Sequence, residues 1–351
     1  MLSHEWSSVS SFAHLHLYSQ YSLLNGAIRL SDLCKRTLEM GMSSVAVTDQ
    51  GNMFGAVDFF KRARKVGLNP IIGFEAPLLY GPHEQSAGPG NNIVLLARDS
   101  AGYANLRELV SHAWLEEFHR DKPHITLPLL ERFKDGVIVL SGGRDGPITH
   151  ALSQDRWSDA SKITCDLRDL MGADSFYLEV LPASSPKDKE VHRGLRRLNH
   201  ECSVPLVASN QCQYLERKDA RAHEVLLCIG SGYSLDDYRR PQQADDSAWF
   251  KPSEVMWDEL GTEFEDALKN SAQIADACGV ELDLGKVYLP QFQVPEAHDT
   301  DSYLALCANE GLERRFEEFT SVDKVVDVKT YQDRLNEELG IIKSMGFPGY
   351  F

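Results

Sequence analysis

The chain has 351 residues, a length that predicts about two domains. Hydrophobic residues make up 42% of it and charged residues 25%, which excludes wholesale disorder and collagen-like repeats. The formal net charge is -16, and affinity for nucleic acid comes largely from basic side chains, so binding of DNA would need a local patch or a larger assembly.

The seven cysteines are scattered and form no C-x-x-C pair. This pattern supports neither a zinc finger nor a disulfide framework, and reduced thiols in a cytoplasmic protein are the simplest interpretation. Met1–Ser11 is polar and lacks the apolar core of a signal peptide. No stretch approaches the roughly 20 apolar residues that cross a bilayer. We therefore expect a cytoplasmic protein with no membrane contact.

Short apolar runs alternate with helical patterns over the first two thirds of the chain. The runs predict strands at Phe12–Leu17, Val45–Thr48, Pro70–Glu75, Ile93–Ala97, Val137–Leu140, Phe176–Val180 and Pro205–Ala208. Strands separated by helices pair in parallel through right-handed crossovers. Seven such units favour an α/β barrel with its function at the C-terminal strand ends, although an open doubly wound sheet has the same pattern.

Helical patterns fill the intervals between these strands. Ser31 is expected to cap the first helix. A second helix, over Phe54–Val66, carries Val57, Phe60 and Ala63 on one face. Two further helices are predicted at Ala160–Leu170 and Lys189–Glu201.

Two polar segments, Gly81–Asn92 and Tyr238–Ser247, are predicted to be loops. After about Gly285 the alternation ends and two amphipathic helices follow. They cover Ser302–Phe319 and Lys329–Met345, and the second places four apolar side chains on one face: Tyr331, Leu335, Leu339 and Ile342.

These patterns divide the chain into three parts. Residues 1–11 are an N-terminal extension, residues 12–285 a barrel domain, and residues 286–351 the incomplete helical start of a second domain. The aromatic end, Gly346–Phe351, would be poorly hydrated, so we expect the natural protein to continue beyond it.

The first chemical signal is His14-Leu15-His16 on the first predicted strand. Residues i and i+2 of a strand face the same way, so two imidazoles on one face could begin a metal site. Packed or solvated histidines are the alternative. Polar residues also follow the strands in four runs, which would meet at one mouth of a parallel barrel unless they simply end strands: Thr48–Asn52, Gly73–Glu75, Ser141–Gly143 and Ser209–Gln213.

At these positions the sequence resembles a known family. His14-Leu-His-Leu-Tyr-Ser-Gln-Tyr-Ser-Leu-Leu-Asn-Gly-Ala27 is similar to the opening motif of the PHP domain (polymerase and histidinol phosphatase), in the version at the N-terminus of bacterial DNA polymerase III alpha subunits. The similarity continues in order almost to the end of the chain: Val47–Gly55, Pro70–Glu75, Gly102–Leu106, Val139–Gly143, Tyr288–Phe292 and Met345–Phe351.

The resemblance implies a seven-stranded distorted barrel (the PHP fold) that binds a cluster of divalent metals in active members. Three family ligand positions keep a ligand: His14, His16 and Glu75. Trp114 stands where a histidine is expected, although the nearby His112 could shift that alignment. The degenerate positions are Asn25, Gln50, Trp114, Gly143, Gln211 and Gln213.

This exchange argues against a metal cluster. Several divalent ions need anionic ligands to offset and bridge their charge, whereas amides are neutral and Trp and Gly side chains do not coordinate. We expect no metal in the PHP domain and a polar cluster in its place, with the two imidazoles hydrogen-bonded to glutamine amides. A single zinc held by His14, His16 and Glu75 is the alternative.

The resemblance also implies a function. The full-length parent would perform DNA-directed DNA synthesis with Mg²⁺, while this segment contains no trio of polymerase carboxylates: Asp236–Asp237 and Asp245–Asp246 are adjacent pairs in loops. We expect the segment alone to be catalytically inactive. Its PHP domain would be a scaffold and the docking site of a proofreading exonuclease subunit. Other polymerase III holoenzyme subunits and primer-template DNA are expected partners of the parent.

Two other functions fit parts of the sequence. One is a metal-dependent phosphoesterase or 3′–5′ exonuclease of the PHP superfamily, which explains the retained ligands but not the six replacements. The other is an error-prone, damage-tolerant polymerase subunit, although Ser22–Ala27 and Thr48–Met53 look closer to the replicative form. Basic clusters are interpreted as solvated faces rather than DNA sites: Lys61–Lys65, Arg193–Arg197 and Arg239–Arg240.

Overall fold

The computed structural model describes residues 12–80, 91–116, 118–119, 122–240, 246–286, 292–322 and 325–351. Residues 1–11, most of the predicted loop at 81–92, residues 241–245 and most of the 288–292 motif lie outside this range. The chain forms two compact units, unit 1 up to Leu282 and unit 2 over Asp283–Phe351. The predicted boundary after residue 285, between a PHP domain and the incomplete start of a polymerase core, stays a prediction.

The described part of unit 1 contains a mixed sheet built from the predicted strands. Six of the seven predicted strands are present, with slightly different ends. Their aliphatic side chains favour a pleated surface that is buried on both faces. The strands are β1 (Ser44–Gln50), β2 (Asn69–Leu79), β3 (Asn92–Ala97), β4 (Phe118–His119), β5 (Lys122–Pro123), β6 (Ile125–Thr126), β7 (Val137–Leu140), β8 (Phe176–Val180) and β9 (Leu206–Ala208).

The main sheet has the order β1-β2-β3-β7-β8-β9, with β6 beside β2, whereas β4 and β5 form a separate ribbon. All pairs on this path are parallel except those of β3, which runs antiparallel to both β2 and β7. The expectation of parallel pairing throughout is therefore wrong for β3. No helical pattern separates β2 from β3, and antiparallel neighbours need no crossover helix.

The first predicted strand, Phe12–Leu17, is extended but forms only an isolated bridge, from Leu17 to Cys212. Its carbonyls accept hydrogen bonds from the Ala46 and Thr48 N–H groups of β1. On the other side, the Cys212 N–H donates to His16 O. The segment thus links β1 to the chain that follows β9, and the sheet curls into a half-barrel.

Helices surround the sheet of unit 1, and the four whose positions were predicted lie close to their predicted bounds. They are α1 (Leu30–Glu39), α2 (Ala56–Lys65), α3 (Ser100–Leu115), α4 (Leu127–Arg132), α5 (Pro147–Ser153), α6 (Trp157–Met171), α7 (Pro186–Cys202), α8 (Ala220–Ser231) and α9 (Ser253–Ala277). No helix within the described ranges has the length and apolarity that crossing a bilayer requires.

Two details of these helices differ from the sequence predictions. Ser31 does not cap α1, because the helix begins one residue earlier and Arg29 takes the capping position without a side-chain bond. On α2 the buried face includes Phe59, Phe60 and Ala63, and Val57 is 41% exposed. The buried stripe runs through Ala56, Phe59, Phe60 and Ala63, and Val57 lies beyond its edge although it is three residues before Phe60.

Apolar side chains cover both faces of the sheet. Along β1, Val45 and Val47 belong to the larger core and Ala46 to a smaller one, as the period of two in a strand requires. The last turns of α9 contribute Ile274 and Ala275 to the smaller core.

Unit 2 contains two helices in its described part, α10 (Thr300–Ser321) and α11 (Val328–Ser344). They pack against each other, with Tyr331 edge-on to Phe316 at a ring distance of 6.0 Å and Gln332 donating to Asn309 at 2.9 Å. Neither helix has a fully buried residue, so the predicted apolar stripe of α11 is only partly covered.

Candidate functional site

Polar side chains gather where the parallel strands end. The C-terminal ends of β1, β2, β7 and β8, the chain after β9, and the first residue of the reversed β3 lie along one edge, which we call the mouth. Gln50 is in register with Glu75 across β1 and β2. The sequence prediction that strand ends converge is confirmed for these residues.

His16 is the centre of the site. Its Nε2 lies 2.6 Å from Glu75 Oε2 and its Nδ1 lies 2.8 Å from Glu179 Oε1, with all three side chains buried. Burial lowers the His16 pKa, but the adjacent Glu179 and Glu75 carboxylates outweigh it and raise the pKa to about 10. At neutral pH His16 is therefore an imidazolium that donates to both carboxylates, not to the glutamine amides that the sequence suggested.

Glu75 accepts hydrogen bonds from several neighbours. Tyr18 Oη donates to its Oε2 at 2.5 Å, and Gln50 Nε2 donates to its Oε1 at 3.2 Å. Asn92, at the start of β3, donates to the same Oε1 atom. Burial and the nearby Glu75 raise the pKa of Tyr18 well above its usual value, so its phenol stays protonated.

Glu179 holds the other side of His16. Its backbone N–H donates to Ser141 Oγ at 2.8 Å, and Ser209 Oγ donates to its Oε1 atom. Its second oxygen, Oε2, is buried with no hydrogen-bond partner among the described residues. Of the fully buried side-chain acceptors in the described part of the mouth, this oxygen alone is unsatisfied.

Gln211 connects the two ends of the mouth. Its Nε2 donates to Tyr18 Oη at 3.0 Å and to Asp145 Oδ2 at 2.8 Å. The residue has a positive φ of 47°, a strained backbone conformation for a residue other than Gly or Asn. Burial and the Glu75 charge raise the pKa of Asp145.

A cleft of about 250 Å³ opens beside Glu75. Within it Asn25 Nδ2 donates to Gln50 Oε1 at 2.8 Å, and Trp114 Nε1 donates to Gly51 O at 2.6 Å. The cleft is lined by Asn25, Gln50, Gly51, Glu75, Pro77, Asn92, Trp114 and Pro123. Four of the family ligand positions therefore share one cavity.

His14 has partners outside this network, and Gln213, in the chain after β9, donates its backbone N–H to Ala248 O at 2.8 Å. His14 Nε2 donates to Lys251 O at 2.8 Å, its Nδ1 lies 3.4 Å from Cys212 Sγ, and its ring packs on Phe250. Burial lowers its pKa to about 4, so the ring is neutral. The two histidines are two residues apart on one segment, and they contact different partners.

Asp49 supports the site indirectly. Its carboxylate accepts hydrogen bonds from Ser19 N, Ser19 Oγ and Ser22 Oγ at 2.6 to 2.7 Å. These bonds fix the loop that carries Asn25, and burial raises the Asp49 pKa.

Sequence reasoning missed four residues of the mouth: Tyr18, Asn92, Asp145 and Glu179. Glu179 had a usable signal, since it is an acidic residue inside an otherwise apolar strand, Phe176–Val180. Asn92 had none, because its position depends on the reversed direction of β3.

The described residues do not fit a metal cluster. A histidine ligand must offer a lone pair, and both nitrogens of His16 are committed as donors to carboxylates. Asn25, Gln50 and Gln211 supply neutral oxygens. Within the described ranges, no group of three or more His, Cys, Asp or Glu side chains is arranged to hold a metal ion.

Several basic residues that we interpret as solvated faces rather than DNA sites form ion pairs on the surface. Arg62 pairs with Asp58, Arg196 with Asp266 and Arg197 with Glu201. The loop acids behave similarly: Asp237 pairs with Arg239 and Asp246 with Arg217, while Asp245 lies outside the described residues.

Comparison of the sequence with known proteins places this chain in a family. Residues 14–183 match the PHP domain. The chain is 38% identical over 347 residues to DNA polymerase III subunit alpha of Pseudomonas aeruginosa, covering 97% of this chain and 29% of that protein. The corresponding protein of Borreliella burgdorferi is 35% identical over 350 residues, covering 97% and 30%.

The chain thus spans less than a third of the length of these relatives. A solved structure of an amidohydrolase from Chromobacterium violaceum aligns with a TM-score of 0.40 and 13% identity, over 58% of this chain and 88% of that one. Residues 14–183 therefore form a PHP domain, and the chain belongs to the PHP-domain region of DNA polymerase III alpha subunits.

Proposed function

We propose that this region is the scaffold part of a replicative DNA polymerase alpha subunit, with a PHP domain that has no metal-dependent hydrolytic activity. The names of the relatives support the polymerase and favour the replicative over the error-prone form. The observation that carries the scaffold role is His16 held between Glu75 and Glu179.

The physical argument concerns charge. A hydrolytic cluster uses several divalent ions to bind phosphate and activate water, and carboxylates balance those ions. Here the two buried carboxylates are balanced instead by one imidazolium and by Tyr18, Gln50 and Asn92 as donors. A phosphodiester approaching this mouth would meet carboxylates whose charge is already balanced by donors of the protein, so the arrangement favours stabilising the fold over hydrolysis.

DNA synthesis is proposed for the full-length protein with Mg²⁺, not for this region. The acidic residues available in its loops, Asp237 and Asp246, are bound to arginines. We expect no nucleotide incorporation by the isolated chain.

The scaffold would also dock a separate proofreading exonuclease subunit. Tethering the exonuclease raises its effective concentration at the primer end, which compensates for the absence of an internal nuclease. The net charge of -16 argues that the region meets a protein more readily than a bare phosphate backbone.

A nuclease assay tests the first part of the proposal. The purified chain should release no nucleotide from a primed 3′ end with Mn²⁺, Mg²⁺ or Zn²⁺. Release that is lost in His16→Ala and in Glu75→Gln would overturn the scaffold role.

Size-exclusion chromatography with the exonuclease subunit of the same organism tests docking, and separate elution of the two proteins at micromolar concentration would contradict it.

A single-metal phosphoesterase is the second candidate, and one observation favours it. The buried Glu179 Oε2 atom has no hydrogen-bond partner among the described residues, and an unpartnered carboxylate oxygen can bind a cation. Elemental analysis of the purified chain separates the two functions. One equivalent of zinc or manganese that is lost in Glu179→Gln would favour the phosphoesterase.

A further inference from the structure

Two cysteines that are distant in sequence meet on the surface of unit 1. Cys165 lies in the middle of α6 and Cys202 is the last residue of α7. The Cys165 Sγ donates to the Cys202 Sγ, and the two sulfurs are 3.3 Å apart. All seven cysteines are free thiols, and within the described ranges no other two cysteine sulfurs are in contact.

The two thiols differ in exposure. Cys165 is half-buried, so small oxidants in solvent reach it, whereas Cys202 is 2% exposed. Burial and the hydrogen bond from Cys165 raise the pKa of Cys202, which keeps Cys202 protonated until its partner reacts. The Arg168 guanidinium, which donates to Cys202 O at 2.8 Å, places a positive charge next to the pair.

We propose that Cys165 and Cys202 form a reversible disulfide when the protein meets hydrogen peroxide. A disulfide needs a sulfur separation of about 2.05 Å, so the two sulfurs, now 3.3 Å apart, must approach by roughly 1.3 Å. This proposal is independent of the polymerase role of the chain.

The chemistry occurs in two steps. The Cys165 thiolate attacks a peroxide oxygen, the O–O bond breaks, and hydroxide leaves and takes up a proton to give water and a Cys165 sulfenic acid. The Cys202 sulfur then attacks the sulfenic sulfur, the S–O bond breaks, and a second water leaves with the Cys202 proton. In total two thiols lose two electrons to one peroxide, and a dithiol reductant reverses the change.

The bond would join α6 to α7 and close a loop that contains β8. Because β8 carries Glu179, the cross-link would restrain the strand that holds one side of His16. Such a clamp needs no movement of the sheet, since the two helices already pack side by side.

Thiol counting and peptide mapping test the proposal on the 351-residue chain. A Cys307→Ser background removes the exposed thiol and leaves six cysteines. Peroxide treatment of the folded protein should lower the free thiols from six to four per chain, and dithiothreitol should restore them. Mass spectrometry should find a linked tryptic peptide pair, with fragment ions that assign the bond to Cys202 rather than Cys212.

Matched variants decide the outcome. The linked peptide should disappear in Cys165→Ser and in Cys202→Ser, which are close in size to the native residue, and persist in Cys212→Ser. Six thiols remaining after treatment, with no linked peptide, would overturn the proposal. A link that persists in Cys202→Ser would overturn it equally.

Discussion

At the residue scale, two histidines of one short segment are held in opposite charge states. His16 lies between two carboxylates and its pKa rises to about 10, whereas His14 lies against a carbonyl and aromatic rings and its pKa falls to about 4. Both rings are fully buried, so the neighbouring charges and not the burial make the difference.

The Glu179→Gln change tests the charge balance around His16. Glutamine keeps the shape but removes one of two negative charges from a buried imidazolium, and breaking such a pair costs about 3 kcal/mol. Urea unfolding at pH 7 should show this loss, and NMR titration should show a lower His16 pKa.

The exposed Glu131→Gln on α4 is the matched control. It makes the same chemical change at the surface and should alter stability by less than about 0.5 kcal/mol. Equal stability of the two variants would contradict the charged His16 pair.

The pH dependence of stability should reflect His14. Its folded pKa, about 4, is below the unfolded value of 6.5, so the unfolded state binds more protons between these values. The contribution is present above pH 6.5 and is lost as the pH falls toward 4. Relative to His14→Gln, the native chain should lose about 3 kcal/mol between pH 7 and pH 4 in urea titrations.

His16 should show the opposite sign. Its folded pKa is above the unfolded value, so its contribution is complete below pH 6.5 and is lost as the pH rises through about 10.

The His14 prediction has a contradicting outcome. A His14→Gln variant whose stability falls with the same slope as that of the native protein between pH 7 and pH 4 would show that His14 is not buried in its neutral form.

At the element scale, the reversal of β3 shapes the mouth. It brings the beginning of this strand, rather than its end, beside Glu75 and next to the end of β7. There Gly142 has a φ of 86°, and a Cβ on it would lie 1.7 Å from Asn92 O. The turn after β7 therefore passes so close to β3 that only glycine fits.

The Gly142→Ala change tests this close approach. It adds a backbone clash to the strain of a positive φ, and we expect a loss of roughly 3 to 5 kcal/mol or failure to fold. Gly232→Ala is the control, because its φ of 73° and ψ of 16° lie in the same left-handed region as Gly142 but no atom lies within 4 Å of the added Cβ. Its loss should be about 1 kcal/mol in urea unfolding. Similar losses for both would show that backbone strain alone matters.

At the scale of the whole molecule, the chain has two compact units with different degrees of burial. Unit 1 contains both apolar cores, and the end of its chain still contributes to them through Cys278 and Val280. The helices of unit 2 have no fully buried residue in their described ranges.

Truncation should separate the two units. Residues 1–285 contain the cores and should unfold cooperatively without unit 2. Residues 1–277 lack the buried Cys278 and Val280 and should be less stable by at least about 2 kcal/mol. Circular dichroism during urea unfolding measures both, and loss of cooperative unfolding in the longer fragment would show that unit 1 depends on unit 2.

The sequence by itself determined six strands of the main sheet, six of the described helices and several of the site residues. Runs such as Val137–Leu140 and Ile93–Ala97 are apolar on both faces, a pattern that predicts buried strands without tertiary information. The motif around His14 and His16 identified the family, and the amides at 50 and 211 indicated that the donor set had changed.

Only the tertiary structure decided the direction of β3, the partners of the two histidines and the roles of Glu179, Asn92, Asp145 and Tyr18. Strand direction depends on how a connection returns to the sheet, which local periodicity does not encode. Charge states depend on which side chains meet across 59 and 163 residues of sequence, as Glu75 and Glu179 meet His16. Because electrostatic interactions act through space between groups brought together by folding, the sequence could list the candidate residues but not their partners.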